Sequence, residues 1–311
     1  MRPLLLSLIL LFLVPQQSHR INRTIELLEK NQTVFGVLAQ DHSINAAQTV
    51  ADSELDFTFA DMEHNPLDFE RLQMYFFGMM KREEALKKGF IQPNVAPMVR
   101  LPGNGGEHNQ YLIKQALDLG AMGLMIPMSE TREDVMSVVR ASRYAQTRGS
   151  KDFEPAGFRG AFPNKGARYW GIPPAEYVQK ADLWPLDPQG EILLTIQIET
   201  QRAVDNIDQM LSVPGVGVAF IGPGDMGLSI GLPADEGRRA MEANIQKVLD
   251  ACKRHNVVPG IFAGASEGAA AGASDIEQRV KQGFRFIAFG DDGLGVNAAN
   301  TLKLGRSAAK R

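Results

Sequence analysis

Cysteine is almost absent from this chain, because Cys252 is the only one among its 311 residues. A single cysteine excludes an intramolecular disulfide and a cysteine-based metal site. Cys252 follows Met241, Ile245 and Val248 on the apolar stripe of a predicted helix, which indicates a buried thiol in the core and not a catalytic nucleophile. The chemistry of the protein therefore has to come from other residue types.

A strong excess of one charge is also missing. The 33 basic and 36 acidic residues give a formal net charge of −3, so nothing indicates a nucleic-acid partner or an anionic membrane surface. The chain also lacks a Gly-x-Gly-x-x-Gly turn after its first predicted strand, which weighs against a dinucleotide-binding fold. The expected partners are small molecules.

No apolar run is long enough to cross a bilayer as a helix, which takes ~20 residues. One run follows Arg2, spans residues 4–14 and is broken only by Ser7. It is typical of a secretory signal, so we expect residues 1–20 to be a signal-peptide-like segment and the protein to be exported, with a periplasmic location. A buried N-terminal helix in a cytoplasmic protein, or a retained anchor, is the alternative. Beyond this segment we expect no stable membrane association.

Short apolar runs alternate with helix-like stretches after residue 30. Eight runs are nearly continuous in apolar residues, as expected for parallel strands covered on both faces. They span residues 35–39, 55–60, 96–99, 123–126, 192–198, 216–221, 257–262 and 286–289. Eight strands with helical connections predict a (β/α)8 barrel, an α/β fold of ~250 residues, as a single domain over residues 21–311.

Residues 145–190 do not follow this alternation. The stretch is rich in glycine, proline, arginine and aromatic residues. So long an irregular connection in a compact barrel is more often functional than accidental. Because it comes after the fourth predicted strand, we expect it to lie over the carboxyl ends of the strands, where barrel active sites form.

Polar residues stand where the predicted strands end, at the rim that carries the active site in barrel enzymes. Taken singly, each has an ordinary explanation as a helix cap, a rim salt bridge or a surface histidine. Their convergence on one rim favours a catalytic site. These residues are Asp61, Glu63, His64, Arg100, Gln197, Glu199 and Asp225.

Glu199 and Asp225 follow neighbouring strands, one βα unit apart. Their carboxylates should therefore lie at the same height and repel each other unless a cation stands between them. Oxygen ligands favour Mg²⁺ or Mn²⁺, with positions left open for a chelating 2-oxo acid. Gly222 and Gly224 allow the backbone to approach closely, and the helix that begins near Asp225 directs unpaired N–H groups toward a substrate carboxylate.

Four motifs occur on the predicted strand ends. They are Asp-Met-Glu-His-Asn-Pro at 61–66, Val-Arg at 99–100, Gln-Ile-Glu-Thr at 197–200 and Gly-Pro-Gly-Asp-Met-Gly-Leu-Ser-Ile-Gly at 222–231. Over about residues 30–295 the chain thereby resembles the HpcH/HpaI aldolase/citrate lyase family, and within it the class II pyruvate aldolases. The resemblance implies a metal-dependent carbon–carbon lyase that uses Mg²⁺, Mn²⁺ or Co²⁺. It also implies cleavage of a 4-hydroxy-2-oxo acid to pyruvate and an aldehyde through an enolate, and a homo-oligomer, either a trimer or a hexamer.

The resemblance implies roles for the residues that bind the 2-oxo acid. Glu199 and Asp225 would be the metal ligands, and Gln197 would form a hydrogen bond near the keto group. The backbone N–H groups of Gly224 and Asp225 would hold the substrate carboxylate.

It also implies the catalytic residues. Arg100 would stabilise the enolate oxygen as it forms. His64, oriented by Asp61, would act as acid and base on the substrate hydroxyl, directly or through a water. Glu63 is expected to have a structural role, because its side chain should alternate away from its neighbours if the strand persists.

The chain departs from the family after the first strand, where Gln-Asp-His-Ser occupies residues 40–43 in place of the usual tryptophan and acid. This difference leaves the aldehyde half of the substrate open. His42 either lines the altered pocket or lies in a surface loop.

Other functions are weaker interpretations. A Schiff-base aldolase is disfavoured because no lysine stands at the end of a predicted central strand. A citrate-lyase-like or malyl-CoA-lyase-like activity is one alternative, although no coenzyme A groove is evident. A non-catalytic, exported carboxylate-binding barrel is the other.

Overall fold

Eight parallel strands close into a barrel, as the sequence predicts. The computed structural model describes residues 19–103, 106–263, 269–290 and 294–310. The order of the strands around the barrel is β4-β3-β2-β1-β9-β8-β7-β6. Pairing of β4 with β6 closes the barrel. Strand β5 has two residues and pairs with the start of β6. In chain order the strands are β1 (Val34–Ala39), β2 (Phe57–Asp61), β3 (Ala96–Arg100), β4 (Gly123–Ile126), β5 (Leu183–Trp184), β6 (Ile192–Ile198), β7 (Val218–Ile221), β8 (Val258–Phe262) and β9 (Phe286–Gly290).

Helices connect the strands and cover the outside of the barrel. Their ends follow local chemistry: Thr131 and Asp134 form a capping box, and Gly231 and Asn256 adopt the left-handed conformation at two carboxyl ends. In chain order the helices are α1 (Arg23–Glu29), α2 (Ile44–Asp52), α3 (Phe69–Gly78), α4 (Arg82–Lys88), α5 (Gln110–Asp118), α6 (Arg132–Ser142), α7 (Asn164–Trp170), α8 (Pro174–Lys180), α9 (Gln201–Asp205), α10 (Ile207–Leu211), α11 (Pro223–Ile230), α12 (Ala234–His255), α13 (Ala269–Gln282) and α14 (Val296–Ala308).

Aromatic rings from alternate strands fill the barrel interior. Phe57 of β2 stacks on Phe286 of β9 at a centroid distance of 4.0 Å, and Phe220 of β7 meets Phe286 edge-on at 6.1 Å. The intervening strands carry glycine at this level. A Cβ on Gly36 would lie 2.3 Å from the Phe57 ring, and one on Gly260 would lie 2.9 Å from the Phe220 ring. The barrel is thus a packed core whose chemistry is confined to its ends.

Helix α1 lies across the amino-terminal end of the barrel. Its N-cap Asn22 is fully buried and accepts hydrogen bonds from the N–H groups of Thr24 and Ile25. The Asn22 side chain also donates to the carbonyls of Met122 and Glu191, just before β4 and β6, at 2.8 and 3.1 Å. This end is therefore covered by a tightly anchored helix.

The predicted location of residues 145–190 is wrong. The stretch follows α6 and not β4, and it contains α7, α8 and β5. Because a barrel helix returns the chain to the amino ends of the strands, an insertion after it starts away from the catalytic rim. The insertion packs on the end of α5, where Trp170 Nε1 donates to the Gly120 carbonyl at 2.8 Å and Tyr177 Oη donates to the Leu117 carbonyl at 2.7 Å.

Two sequence predictions concern compartment and cysteine chemistry. Most of the predicted signal-like segment, residues 1–18, lies outside the described residues, so export stays a prediction. Within the described ranges, every helix is too short or too polar to cross a membrane. Cys252 is buried, and burial raises the pKa of its thiol to about 12, which confirms it as a core residue.

Candidate active site

The carboxyl ends of the strands bring the predicted polar residues to one mouth of the barrel. Asp61 and Arg100 are the last residues of β2 and β3 and are direct partners in the sheet register. Glu199 follows β6, and Asp225 lies in the first turn of α11, directly after β7. A cavity of 390 Å³ opens between them, with Arg100 and Asp225 in its lining.

Arg100 is held by two carboxylates. Its Nε and Nη2 donate to the two oxygens of Asp61 at 2.8 and 2.7 Å, and its Nη1 lies 2.9 Å from Glu63 Oε2. Burial opposes charge on both partners, but their mutual bonds outweigh it. The pKa of Asp61 is therefore lowered and that of Arg100 raised. The two groups form a fixed ion pair.

Glu63 faces the site, so the expectation that it points away is wrong. Strand β2 ends at Asp61, and strand alternation no longer applies two residues later. The chain turns there, with the Glu63 N–H donating to Asp61 Oδ1 at 3.1 Å. Burial raises the pKa of Glu63 against the opposing charge of Arg100.

His64 stands at the outer edge of the mouth, with 61% of its side chain exposed. Its Nε2 lies 3.6 Å from Glu63 Oε2. Asp61 does not orient it in the described structure, because the Asp61 oxygens accept hydrogen bonds from Arg100, Gln40 and the Glu63 N–H. The structure thus pairs His64 with Glu63.

Glu199 is buried beside Gln197 at the end of β6. One oxygen accepts from the backbone N–H of Met128 at 2.8 Å, and the other accepts from Gln197 Nε2. This bond fixes the Gln197 amide, and its buried Oε1 has no hydrogen-bond partner among the described residues. A Cβ on Gly222 would lie 2.9 Å from Glu199 Oε2, so only glycine leaves room for the carboxylate there.

The charges at this side of the mouth fit a divalent cation. The pKa of Glu199 is raised to about 7, mainly by burial and also by the neighbouring Glu63 and Asp225, against the Met128 hydrogen bond and the charge of Arg100. Asp225 is exposed to the cavity. A cation would remove this repulsion, and the donor set of carboxylate oxygens suits Mg²⁺ or Mn²⁺.

A second acidic cluster, Asp152, Asp182 and Asp187, has its carboxylates within 4.8 Å of one another. The buried Arg143 pairs with two of them, through Nε to Asp182 at 2.6 Å and Nη2 to Asp152 at 3.3 Å. Although such a group could hold a metal, Arg143 already compensates much of its charge. It lies in the insertion, and it is better explained as the anchor of that segment.

Sequence reasoning missed two groups at the mouth. Gln40, directly after β1, donates from Nε2 to Asp61 Oδ2 at 2.9 Å and lines the cavity. Its signals in the sequence are its place after a strand and the departure from the family at residues 40–43. The Met128 N–H, which bonds Glu199, gave no sequence signal. Both expectations for His42 are wrong: it is buried against the Tyr75 ring, with Nε2 3.0 Å from the Ala39 carbonyl oxygen.

Comparison with known proteins gives a consistent result. The family model for HpcH/HpaI aldolase/citrate lyase matches residues 35–298. A 2-keto-3-deoxy-L-rhamnonate aldolase of Klebsiella pneumoniae is 31% identical over 230 residues, 73% of this chain and 74% of the relative. One of Salmonella schwarzengrund is 29% identical over 274 residues, 86% of each chain. The crystal structure of an HpcH/HpaI aldolase/citrate lyase family protein from Burkholderia cenocepacia superimposes with a TM-score of 0.69 at 28% identity, covering 90% of this chain and 96% of that one.

Proposed function

Because the chain belongs to the HpcH/HpaI aldolase/citrate lyase family and is a carbon–carbon lyase, we propose that it cleaves a 4-hydroxy-2-oxo acid. The products would be pyruvate, or a related 2-oxo acid, and an aldehyde. One observation carries the proposal: the buried carboxylate of Glu199, whose pKa is raised by burial, is bonded to Gln197 at the cavity that Asp225 and the fixed guanidinium of Arg100 also line. The names of the relatives, aldolases of a 2-keto-3-deoxy acid, support the same substrate class.

Glu199 and Asp225 are the residues that would hold the divalent cation, Mg²⁺, Mn²⁺ or Co²⁺. When bound, such a cation supplies a Lewis acid for the keto and carboxylate oxygens of a 2-oxo acid. The backbone N–H groups of Gly224 and Asp225, in the first turn of α11, bind the substrate carboxylate. Gln197 holds Glu199 in place and stands beside the keto group.

Arg100 stabilises the negative charge that develops on the keto oxygen as the C3–C4 bond of the substrate breaks. Asp61 fixes its guanidinium through two hydrogen bonds. His64 takes the proton of the C4 hydroxyl, directly or through a water, so that C4 leaves as the aldehyde carbonyl. C3 of the remaining enolate then takes the proton that His64 has accepted, directly or through a water, to give pyruvate.

The exchange of pyruvate methyl protons with D₂O tests this function without requiring the aldehyde. We expect exchange by the wild type only with Mg²⁺, Mn²⁺ or Co²⁺ added, because the enolate needs a Lewis acid. Glu199→Gln should reduce the exchange rate by about 100-fold or more, as it removes one ligand charge. Proton NMR follows the loss of the methyl signal.

Asp187→Asn is the matched control, since it removes a carboxylate from the second acidic cluster. It should exchange at the wild-type rate. Exchange that persists in metal-free protein or in Glu199→Gln would falsify the proposed mechanism, and a loss in Asp187→Asn would move the cation to the insertion. A wild type that shows no exchange with any of the three cations would favour a non-catalytic carboxylate-binding barrel.

Assembly as a trimer or hexamer and export by the N-terminal segment remain predictions from the sequence. We propose both for the native protein. Neither changes the residues assigned to the reaction.

A further inference from the structure

Gln40 stands on the wall of the cavity opposite the proposed cation ligands. It directly follows β1, and β1 lies four strands from β6 in either direction around the closed barrel. Glu199 follows β6, and Asp225 follows the neighbouring β7. A substrate bound at β6 and β7 by its 2-oxo acid half therefore extends its other half toward β1.

The orientation of the Gln40 amide is fixed by its neighbours. Asp61 Oδ2 accepts a hydrogen bond from Gln40 Nε2 at 2.9 Å, and Gln40 Oε1 accepts one from Asn65 Nδ2 at 2.8 Å. Asn65 Nδ2 also donates to the Asp61 carbonyl at 3.1 Å, which confirms its donor role. An amide nitrogen carries two hydrogens; among the described residues only Asp61 accepts one from Gln40 Nε2, which leaves the other for a ligand. The Gln40 side chain is exposed and lines the cavity.

The remaining hydrogen lies close to the reacting carbon. Asp61 Oδ2 accepts from Arg100 Nη2 at 2.7 Å and from Gln40 Nε2 at 2.9 Å, so the two donors share one oxygen. Arg100 is the group that stabilises the oxygen charge next to the broken bond. A group that reaches Gln40 must therefore be attached within a carbon or two of the aldehyde carbonyl.

The rest of this wall is apolar where the structure describes it. Leu38 of β1 and Phe262 of β8 line the cavity beside Gln40, and Gly290 of β9 contributes backbone. Of the described residues that line this wall, namely Leu38, Gln40, Phe262 and Gly290, Gln40 alone has a polar side chain. A hydroxyl group on the aldehyde half would find its hydrogen-bond donor there.

We propose that Gln40 is a specificity-determining residue that donates a hydrogen bond to the hydroxyl group of an α-hydroxyaldehyde. The inference rests on the proposed function and names the class of its aldehyde half. In the synthetic direction, C3 of the pyruvate enolate bonds to the aldehyde carbon, and the proton lost from the pyruvate methyl group is balanced by one gained on the aldehyde oxygen. The Gln40 amide takes no part in these transfers and acts only on the neighbouring hydroxyl.

The test compares glycolaldehyde with acetaldehyde, which have the same carbon skeleton and differ by one hydroxyl. Product formation with pyruvate and Mn²⁺ gives kcat/KM for each aldehyde with the 311-residue chain. We expect the wild type to prefer glycolaldehyde and Gln40→Met to lower that preference about 5-fold, the effect of one neutral hydrogen bond. Acetaldehyde addition and pyruvate proton exchange in the same variant measure any loss that comes from the broken hydrogen bond between Gln40 and Asp61.

Asn65→Ala tests the orientation of the Gln40 amide, because it removes the hydrogen bond to Gln40 Oε1 but leaves the one from Gln40 Nε2 to Asp61. It should lower the preference for glycolaldehyde less than Gln40→Met does. In a crystal soaked with pyruvate and glycolaldehyde, the hydroxyl oxygen should lie within ~3.2 Å of Gln40 Nε2.

An unchanged preference for glycolaldehyde in Gln40→Met would overturn the inference. An equal fall in kcat/KM with both aldehydes would also overturn it, because that is the result expected if Gln40 only positions Asp61. Either outcome with normal proton exchange leaves the proposed function intact. A wild type without metal-dependent proton exchange would instead refute the proposed function itself.

Discussion

At the scale of single residues, Asp61 acts on the site through Arg100. The bidentate pair holds the guanidinium plane in one orientation, and Glu63 takes a third N–H. A guanidinium has five N–H donors, and the described residues occupy three of them, which leaves two for the substrate. Lysine at position 100 would keep the charge but lose this fixed fork. The orientation of the cation is therefore as much a part of the site as its charge.

Gly222 sets the position of the cation ligand Glu199. A Cβ at 222 would lie 2.9 Å from both Glu199 Oε2 and Gln197 Nε2. The backbone conformation of Gly222 is accessible to alanine, so Gly222→Ala acts through this contact alone. We expect pyruvate proton exchange to fall by about 100-fold, as displacement of a catalytic group by ~1 Å does. The apparent affinity for Mn²⁺ should fall with it.

Gly227→Ala provides the matched control on the same helix, α11. Its Cβ would meet only Met241 Cε, at the ordinary distance of 3.7 Å. This variant should keep its exchange rate and gain up to about 1 kcal/mol of stability from the helix propensity of alanine. Wild-type exchange in Gly222→Ala would show that Glu199 is not held as the structure has it.

At the scale of elements, the two ends of the barrel have different roles, one catalytic and one structural. The ends of β2, β3, β6 and β7 carry the reactive groups, while α1 and the insertion cover surfaces away from them. The fully buried Arg143 joins Asp182 to the end of α6. The unusual composition of residues 145–190 thus anchors the insertion. Its arginine and aromatic side chains donate hydrogen bonds to carbonyl and carboxylate groups of the barrel.

Asn22 should be among the more important residues for the stability of this end. Asn22→Ala removes the cap of α1 and its two hydrogen bonds to the carbonyls before β4 and β6. We expect the free energy of unfolding to fall by about 3 kcal/mol, from the lost cap and the buried groups left unpaired. Urea denaturation followed by circular dichroism measures the change.

Asn109 is a suitable control because it is also an asparagine at a helix N-cap. Its side chain makes no capping hydrogen bond to α5 and bonds the exposed Glu107 instead. Asn109→Ala should cost less than about 0.5 kcal/mol. Equal costs for the two variants would mean that α1 is not fastened as described.

At the scale of the whole molecule, the global stability should depend on pH through His42. Burial lowers the pKa of His42 below its ordinary value of 6.5, against the hydrogen bond to the Ala39 carbonyl. The folded state then binds this proton less readily than the unfolded state does. The contribution of neutral His42 is fully present above pH 6.5 and is lost as the pH falls below that value toward the lowered pKa.

His42→Phe isolates this effect, because phenylalanine keeps a ring against Tyr75 and has no charge to bury. At pH 8 the variant should be less stable by about 1 kcal/mol, through loss of one hydrogen bond. The difference should shrink between pH 6.5 and 5 as the wild type loses stability. Parallel pH dependences of wild type and variant would contradict the assignment.

The sequence by itself determined the barrel and the set of residues at its mouth. Apolar runs bounded by polar strand ends specify parallel strands, and the strand direction then assigns Asp61, Arg100, Glu199 and Asp225 to one rim. Backbone periodicity suffices for this, because it fixes how far along the barrel axis each residue lies and which face of the sheet its side chain is on.

Only the tertiary structure decided which of these residues touch. Glu63 turns inward because β2 has already ended, and Asp61 binds Arg100 and Gln40 instead of His64. The insertion lies at the other end because a helix precedes it. Contacts of this kind join residues from different strands and loops, so their geometry depends on how the closed barrel places those segments and not on any local pattern in the sequence.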